Sequence, residues 1–239
     1  PCGGHLYIVV EPQQPNSKTI EHFRLLNSAL DARQNVRRRI DLKHQLTDIA
    51  TDVSFAPLTW DSETQVLDHT YGPGHHLFII GSGMVSQYLA QMALTLDYEI
   101  TVCDPRVELL QQFPITGVRK VSDMPDDAVS KYAGDSATAI VALTHDPRID
   151  DMGLMQALET DAFYIGAMGS SRTSAKRRER LLELDVSDHD IDKLRAPIGL
   201  PIGSKTPPEI AIAIIAEITA VRKSRVDQTQ ASLAQTASV

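Results

Sequence analysis

The sequence predicts an α/β protein, a Rossmann-like parallel sheet with helices on both faces, preceded by a small, incomplete N-terminal α+β domain. Three observations carry that prediction. From His75 onward, short apolar runs alternate with segments of helical periodicity, the pattern of a parallel sheet buried on both sides. Several of those runs end in glycine or hydroxyl residues that open a helix. Before residue 75 the alternation is missing, and Tyr71-Gly72-Pro73-Gly74 separates the two regions as a linker. The expected organisation is an N-terminal segment over residues 1–72 whose upstream part is missing, a Rossmann-like domain over 75–223, and a disordered tail over 224–239.

Along the chain, residues 6–11 (LYIVVE) are rich in β-branched and aromatic residues and read as a strand, broken by the prolines at 12 and 15. Residues 17–31 carry Ile20, Phe23, Leu26 and Leu30 at helical spacing. Arg37, Arg38 and Arg39 form a basic run expected on a solvated face. Residues 53–67 alternate weakly around Trp60 and Asp61-Ser62-Glu63, like a hairpin. Residues 77–80 (LFII) are a fully apolar strand, 84–96 a helix, 99–103 a second strand and 107–113 a helix. A weaker strand lies near 117–121. Residues 137–144 (ATAIVALT) are a strand, 148–159 a helix, 162–165 a strand and 174–184 a helix. The last helix opens at Thr206-Pro207-Pro208-Glu209, a capping box with Pro207 at the first helical position, and runs to about Val221.

Composition narrows the function classes. A net charge of −8 lacks the basic face of a general nucleic-acid binder. No apolar run approaches the roughly 20 residues that span a bilayer, and no basic n-region of a signal peptide opens the chain. The two cysteines, Cys2 and Cys103, are too few for a disulfide framework and suit a reducing, cytoplasmic setting. An exposed edge on the N-terminal segment suits a homodimer. No nucleophile–base pair and no zinc-spaced ligand set stands out, so no residue is assigned to catalysis.

Five places carry binding chemistry. Gly81-Ser82-Gly83 follows an apolar strand and opens a helix, the context of a Rossmann turn, with Gly81 for the tight bend and Gly83 for close approach of a phosphate. Asp104 ends the next strand, where such a fold holds a ribose hydroxyl; this would make NAD(P) a ligand. Alternatively, the glycines only make the turn and Asp104 caps a helix. His145, in Leu143-Thr144-His145-Asp146, stands at a strand's carboxyl end and could titrate, bind a metal or contact a ligand; alternatively it is a satisfied histidine beside a capping Asp146. Gly169 and Ser170 lead to Arg172 and Lys176, which share a helix face and, with backbone amides, suit a phosphate. Lys205 precedes the capping box, at a helix start that suits an anion. Cys2, beside Gly3-Gly4, could bind a soft metal or carry sulfur.

Taken in order, Cys2-Gly3-Gly4, the IIGSGMVS turn, VCDPR, THDP, YIGAMGSSRT and APIGLPIGSKTPPEIA resemble the XdhC/CoxI family over nearly the whole chain. These are accessory factors of xanthine dehydrogenase and related molybdenum hydroxylases. The resemblance implies a Rossmann fold and a chaperone rather than a metabolic enzyme. It implies binding of molybdenum cofactor (molybdopterin), cooperation with a cysteine desulfurase in its sulfuration, and insertion into the apoenzyme of the hydroxylase. Cys2 then matches the cysteine that holds the cofactor and its metal. Family members also carry a Ser-Ala-Pro-Arg-like motif and a glycine turn upstream of that cysteine, and neither lies in this chain. Two other readings stand beside this one: an NAD(P)-dependent oxidoreductase resting on Gly81, Gly83 and Asp104, and a nucleotide-sensing or scaffold module without chemistry.

Overall fold

The computed structural model describes residues 8–51, 53 and 56–236, with side chains as far as residue 225. The chain forms two compact units, Pro1–Pro73 and Gly74–Val239.

In the first unit, α1 (Ser17–Asp31) starts on Asn16, whose side chain accepts from the Thr19 N–H at 3.0 Å. Strands β1 (Val36–Asp41), β2 (Leu46–Thr51), β3 (Thr59–Asp61) and β4 (Val66–Tyr71) form an antiparallel sheet in the order β2-β1-β4-β3. Leu26 and Ala29 pack with Val36 as its small core. β1 corrects the expectation of a solvated basic run. Strand alternation turns Val36, Arg38 and Ile40 inward, and Arg38 is buried. Its guanidinium donates to Glu11 at 2.5 Å and His22 at 2.8 Å and lies over the Phe23 ring, which replaces the lost hydration. The expected strand over residues 6–11 is a second correction. Leu6 and Tyr7 lie outside the described residues, and residues 8–11 join no sheet; Glu11 is held through its side chain, by Arg38 and Thr47.

The second unit runs β5 (His76–Ile80), α2 (Met84–Leu94), β6 (Glu99–Cys103), α3 (Val107–Gln111), β7 (Arg119–Val121), α4 (Pro125–Tyr132), β8 (Thr138–Ala142), α5 (Pro147–Leu158), β9 (Tyr164–Ala167), α6 (Ser171–Glu183), α7 (Asp188–Ile191), β10 (Leu194–Arg195) and α8 (Pro207–Thr236). All six strands are parallel, in the order β10-β9-β8-β5-β6-β7. Each face buries its own apolar layer. Leu77 and Ile79 of β5 meet α2 and α8 on one side, while Phe78 and Ile80 meet α4 and α5 on the other. The expected α/β class and doubly covered parallel sheet are therefore the fold.

Helix α8 departs from the expected disordered tail, because it continues through Ser224 to Thr236. No glycine or proline follows Pro208 within it, and its last turns hold Ala, Gln and Leu, which favour helix. The loop before α8 is seated on it. Gly199 has φ +92°, and a β-carbon there would stand 3.1 Å from the Ala213 backbone. Glu217 accepts from the Gly199 N–H at 2.8 Å and the Tyr164 hydroxyl at 2.5 Å. Burial, then the Glu217 carboxylate, pushes the Tyr164 phenol above its ordinary value.

Candidate functional site

Because every strand of the large sheet is parallel, the ends of β5, β6, β8 and β9 fall on one edge. The strand order reverses between β5 and β8, where a doubly wound sheet opens its crevice.

The β5 turn is tightly built. Gly81 has φ +105°, and a β-carbon on it would stand 2.8 Å from Thr144 Cγ2 and 3.0 Å from the Thr144 backbone. Gly83 is exposed at the start of α2, with open space around it. Asp104, at the end of β6, is fully buried. Its Oδ2 accepts from the Ser82 N–H and hydroxyl at 2.9 and 2.8 Å and from Arg106 Nη2 at 2.9 Å. Its Oδ1 accepts from Arg106 Nε at 2.8 Å and Arg106 N–H at 3.1 Å. Burial alone would push this carboxyl up; the bonds from Arg106 and Ser82 outweigh that and hold it below its ordinary value. Both oxygens are thus engaged within the protein, and neither is offered to a ribose.

The β8 turn places His145 in the left-handed region, at φ +67°, with its side chain exposed. Thr144 beside it is held from below: Asp150 accepts from its N–H at 3.1 Å and its hydroxyl at 2.7 Å. Asp146 caps α5 and pairs with Arg148 at 2.9 Å. Under the β8 and β9 turns runs a buried ionic network. Arg177 of α6, 2% exposed, donates to Asp151 at 2.8 Å, Asp150 at 3.2 Å and the Met168 carbonyl at 3.2 Å. Arg180 adds a bond to Asp151 at 2.6 Å. Burial raises the Asp150 carboxyl above its ordinary value, although the Thr144 bonds and Arg177 pull it down. Arg177 was missed in the sequence, where it stood inside an exposed-looking basic run. Its spacing four residues before buried Leu181, and the Asp150-Asp151 pair, are the signals that would have found it.

The β9 turn differs. Ser170 caps α6 by accepting from the Thr173 N–H at 3.1 Å, and α6 starts at Ser171, earlier than expected. Arg172 and Lys176 are exposed on its first turns and have no ion-pair partner among the described residues. Asp104 with Arg106, Asp146 with Arg148, and Asp150 and Asp151 with Arg177 and Arg180 pair their charges along this edge. Arg172 and Lys176 are left as surplus positive charge at a helix N-terminus, which suits a phosphate.

Lys205 joins neither group through any bond among the described residues. The positive end of α8 is already taken by its own Glu209, whose carboxylate accepts from the Thr206 and Lys205 N–H groups at 2.9 and 2.8 Å. Those backbone bonds, Thr206 first, lower the Glu209 carboxyl. Cys2 lies outside the described residues. Cys103 is a buried thiol pushed up to about 12 by burial and by Asp104, Asp123 and Asp126, which disfavours its thiolate. Among the described residues no cluster of His, Cys, Asp and Glu could hold a metal ion, and no helix is long and apolar enough to cross a membrane.

These features define a doubly wound, Rossmann-type protein in which Asp104 is engaged from within at the β5 turn, while Arg172 and Lys176 carry exposed positive charge at the β9 turn. The chain belongs to the XdhC family: the XdhC Rossmann domain matches residues 77–218, more than half of it. It is similar to the molybdenum cofactor insertion chaperone PaoD of Escherichia coli K12, with 28% identity over 152 residues, 64% of this chain and 42% of that protein. It is 30% identical over 156 residues to the uncharacterized protein YqeB of the same organism, 64% of this chain and 28% of that one. A probable xanthine dehydrogenase component of Bacillus subtilis 168 is 29% identical over 181 residues, 74% of this chain and 52% of that protein. The chain therefore spans about half or less of the length of these curated relatives. In fold it is similar to a xanthine dehydrogenase from Bacillus halodurans, with a TM-score of 0.68 over 90% of this chain and 70% of that one at 23% identity.

Proposed function

We propose that this protein is a maturation chaperone that holds molybdenum cofactor, assists its sulfuration with a cysteine desulfurase, and helps insert it into the apoenzyme of xanthine dehydrogenase or a related molybdenum hydroxylase. The observation that carries this reading is the β9 turn, where Arg172 and Lys176 stand unpaired at the start of α6 beside a crevice whose other charges are matched. Molybdopterin carries a phosphate, and this donor set fits one: a guanidinium fork, an ammonium and a helix N-terminus. Cys2, as a soft thiolate, would take the molybdenum and dithiolene end, and His145 and Gly83 would line the crevice between. Support also comes from the name of the relative PaoD and from the chain's membership of the XdhC family.

On this reading the chain has no catalytic residues of its own; it binds, orients and hands over. It works in the cytoplasm as a homodimer. An oxidoreductase reading with NAD(P) draws less support, because Asp104 is engaged by Ser82 and Arg106 rather than turned toward a ribose. The test is titration of the full-length protein with molybdopterin, followed by reconstitution of an apo-hydroxylase. Saturable binding that weakens on Arg172→Ala with Lys176→Ala, and restored hydroxylase activity, are expected. A full-length protein that binds none and restores nothing would sink the proposal.

A further inference from the structure

The edge of the large sheet opposite β10 is β7, and it is charged. β7 pairs with β6 alone, so its other side is open, and two of its three residues, Arg119 and Lys120, are exposed. Strand alternation sends them to opposite faces. Lys120 is occupied: its ammonium donates to the Phe113 carbonyl at 2.6 Å and lies over the Phe113 ring. Arg119 turns with Val121 to the face of α4, where it meets Lys131 across one aromatic ring. The Arg119 Cζ stands 5.1 Å, and the Lys131 Nζ 4.8 Å, from the centre of the Tyr132 ring. Arg119 opens β7, so this cluster lies at the opposite end of the sheet from the turns after β5, β8 and β9.

The two cations therefore lie within about 10 Å of each other, no more than the Debye length at about 0.1 M salt, and they repel. The bond to Tyr132 pushes the Lys131 ammonium up, while the charge of Arg119 works against it. Asp123 favours the charge of Lys131 from a distance, but among the described residues neither cation has an ion-pair partner. In a chain of net charge −8, carboxylates outnumber cations, yet these two stay unmatched. Charge on an edge strand keeps it from pairing with other sheets. That role asks for a charge on β7; it does not account for a second one brought from α4 onto the same ring. We infer that the β7 edge is a docking surface for an acidic segment of a partner protein, which adds to the sheet as a strand and lays its carboxylates on Arg119 and Lys131. Main-chain bonds to β7 supply affinity, and the alternate side chains that fall on the α4 face supply selection. This surface stands independently of the cofactor reading.

The test titrates a fluorescein-labelled peptide, Thr-Glu-Thr-Glu-Thr-Glu, into the full chain and follows its anisotropy. Saturable binding is expected, weakening as salt rises from about 0.1 to about 1 M. Arg119→Glu with Lys131→Glu should weaken it roughly tenfold or more. Lys131→Gln alone, at an exposed helix position, should weaken it about threefold and reads the same surface with one charge removed. N-methylation of the peptide amides removes the added strand's donors and should abolish binding. Arg172→Ala with Lys176→Ala should leave peptide binding unchanged; loss in that variant would put the peptide at the β9 turn and overturn the inference. No saturable binding, equal binding by the charge-reversed variant, or equal binding of the N-methylated peptide overturns it as well. So does equal competition by a single-stranded DNA oligonucleotide, which would mark a general polyanion surface. Dimerisation lost in the charge-reversed variant would give the edge to a second copy and overturn the assignment to a partner.

Discussion

Two turns on the same sheet edge, after β5 and after β9, look alike as sequence and differ as structure. Both follow an apolar strand, both carry glycine and serine, and both open a helix. The β5 turn is satisfied from within, because Ser82 and Arg106 engage both oxygens of Asp104. At the β9 turn the ionic bonds lie beneath, through Arg177, and Arg172 and Lys176 remain outward. The lesson is that a glycine motif reports a bend in the backbone, while availability to a ligand depends on where the neighbouring charges go.

The largest effect should come from removing the support under the β9 turn. Arg177→Met leaves Asp150 and Asp151 buried with less compensation, and a loss of about 3–5 kcal/mol is expected in urea unfolding. Adding Asp150→Asn should recover part of it; no recovery would mean that Arg177 acts by packing alone. Gly81→Ala comes next, because it strains a left-handed backbone and drives a methyl group into Thr144, with about 2–3 kcal/mol lost. A loss within about 0.5 kcal/mol would show that the β5 turn is looser than its contacts indicate.

Acid should separate the two regions by sign. Asp104 is depressed in the folded protein, so its stabilisation is present above the ordinary carboxylate value and is lost as pH falls through the depressed one. Asp150 is raised, so its contribution is present below the ordinary value and is lost as pH rises through the raised one. The protection factor of the Ser82 amide, its exchange rate relative to the unfolded chain at the same pH, should therefore fall on acidification more than that of Thr144, and Asp104→Asn should remove the Ser82 response. Equal responses would erase the distinction. The smallest stability effect belongs to Arg172→Ala with Lys176→Ala, within about 0.5 kcal/mol, since both are exposed and unpaired. Binding of inorganic pyrophosphate should nonetheless weaken roughly tenfold or more; unchanged binding would place the anion site elsewhere.

Much of the fold was legible. The strand over 77–80 and the following turn could be placed because a strand buried on both faces must be wholly apolar and its exit must bend sharply. β1 was not legible: Val36-Arg37-Arg38-Arg39 reads as surface until Glu11 and His22 arrive from elsewhere to receive Arg38. Arg177 was hidden for the same reason, since its partners lie 26 and 27 residues away on α5. At α8, the motif that resembled an anion site proved to be filled by Glu209 and anchored by Glu217.

By itself the sequence determined what depends on local periodicity and on covalent constraint: most strands and helices of the second unit, though not α4, α7 or β10, the places where glycine permits a turn, and the family pattern over residues 77–218. The tertiary structure decided which charges are left over. The pairs of Arg177 join residues distant in the chain, and even the local pair of Asp104 with Arg106 is completed by Ser82 from another strand end; a buried charge must find its partners in the folded state. Asp104 and Arg177 found theirs inside; Arg172 and Lys176 did not.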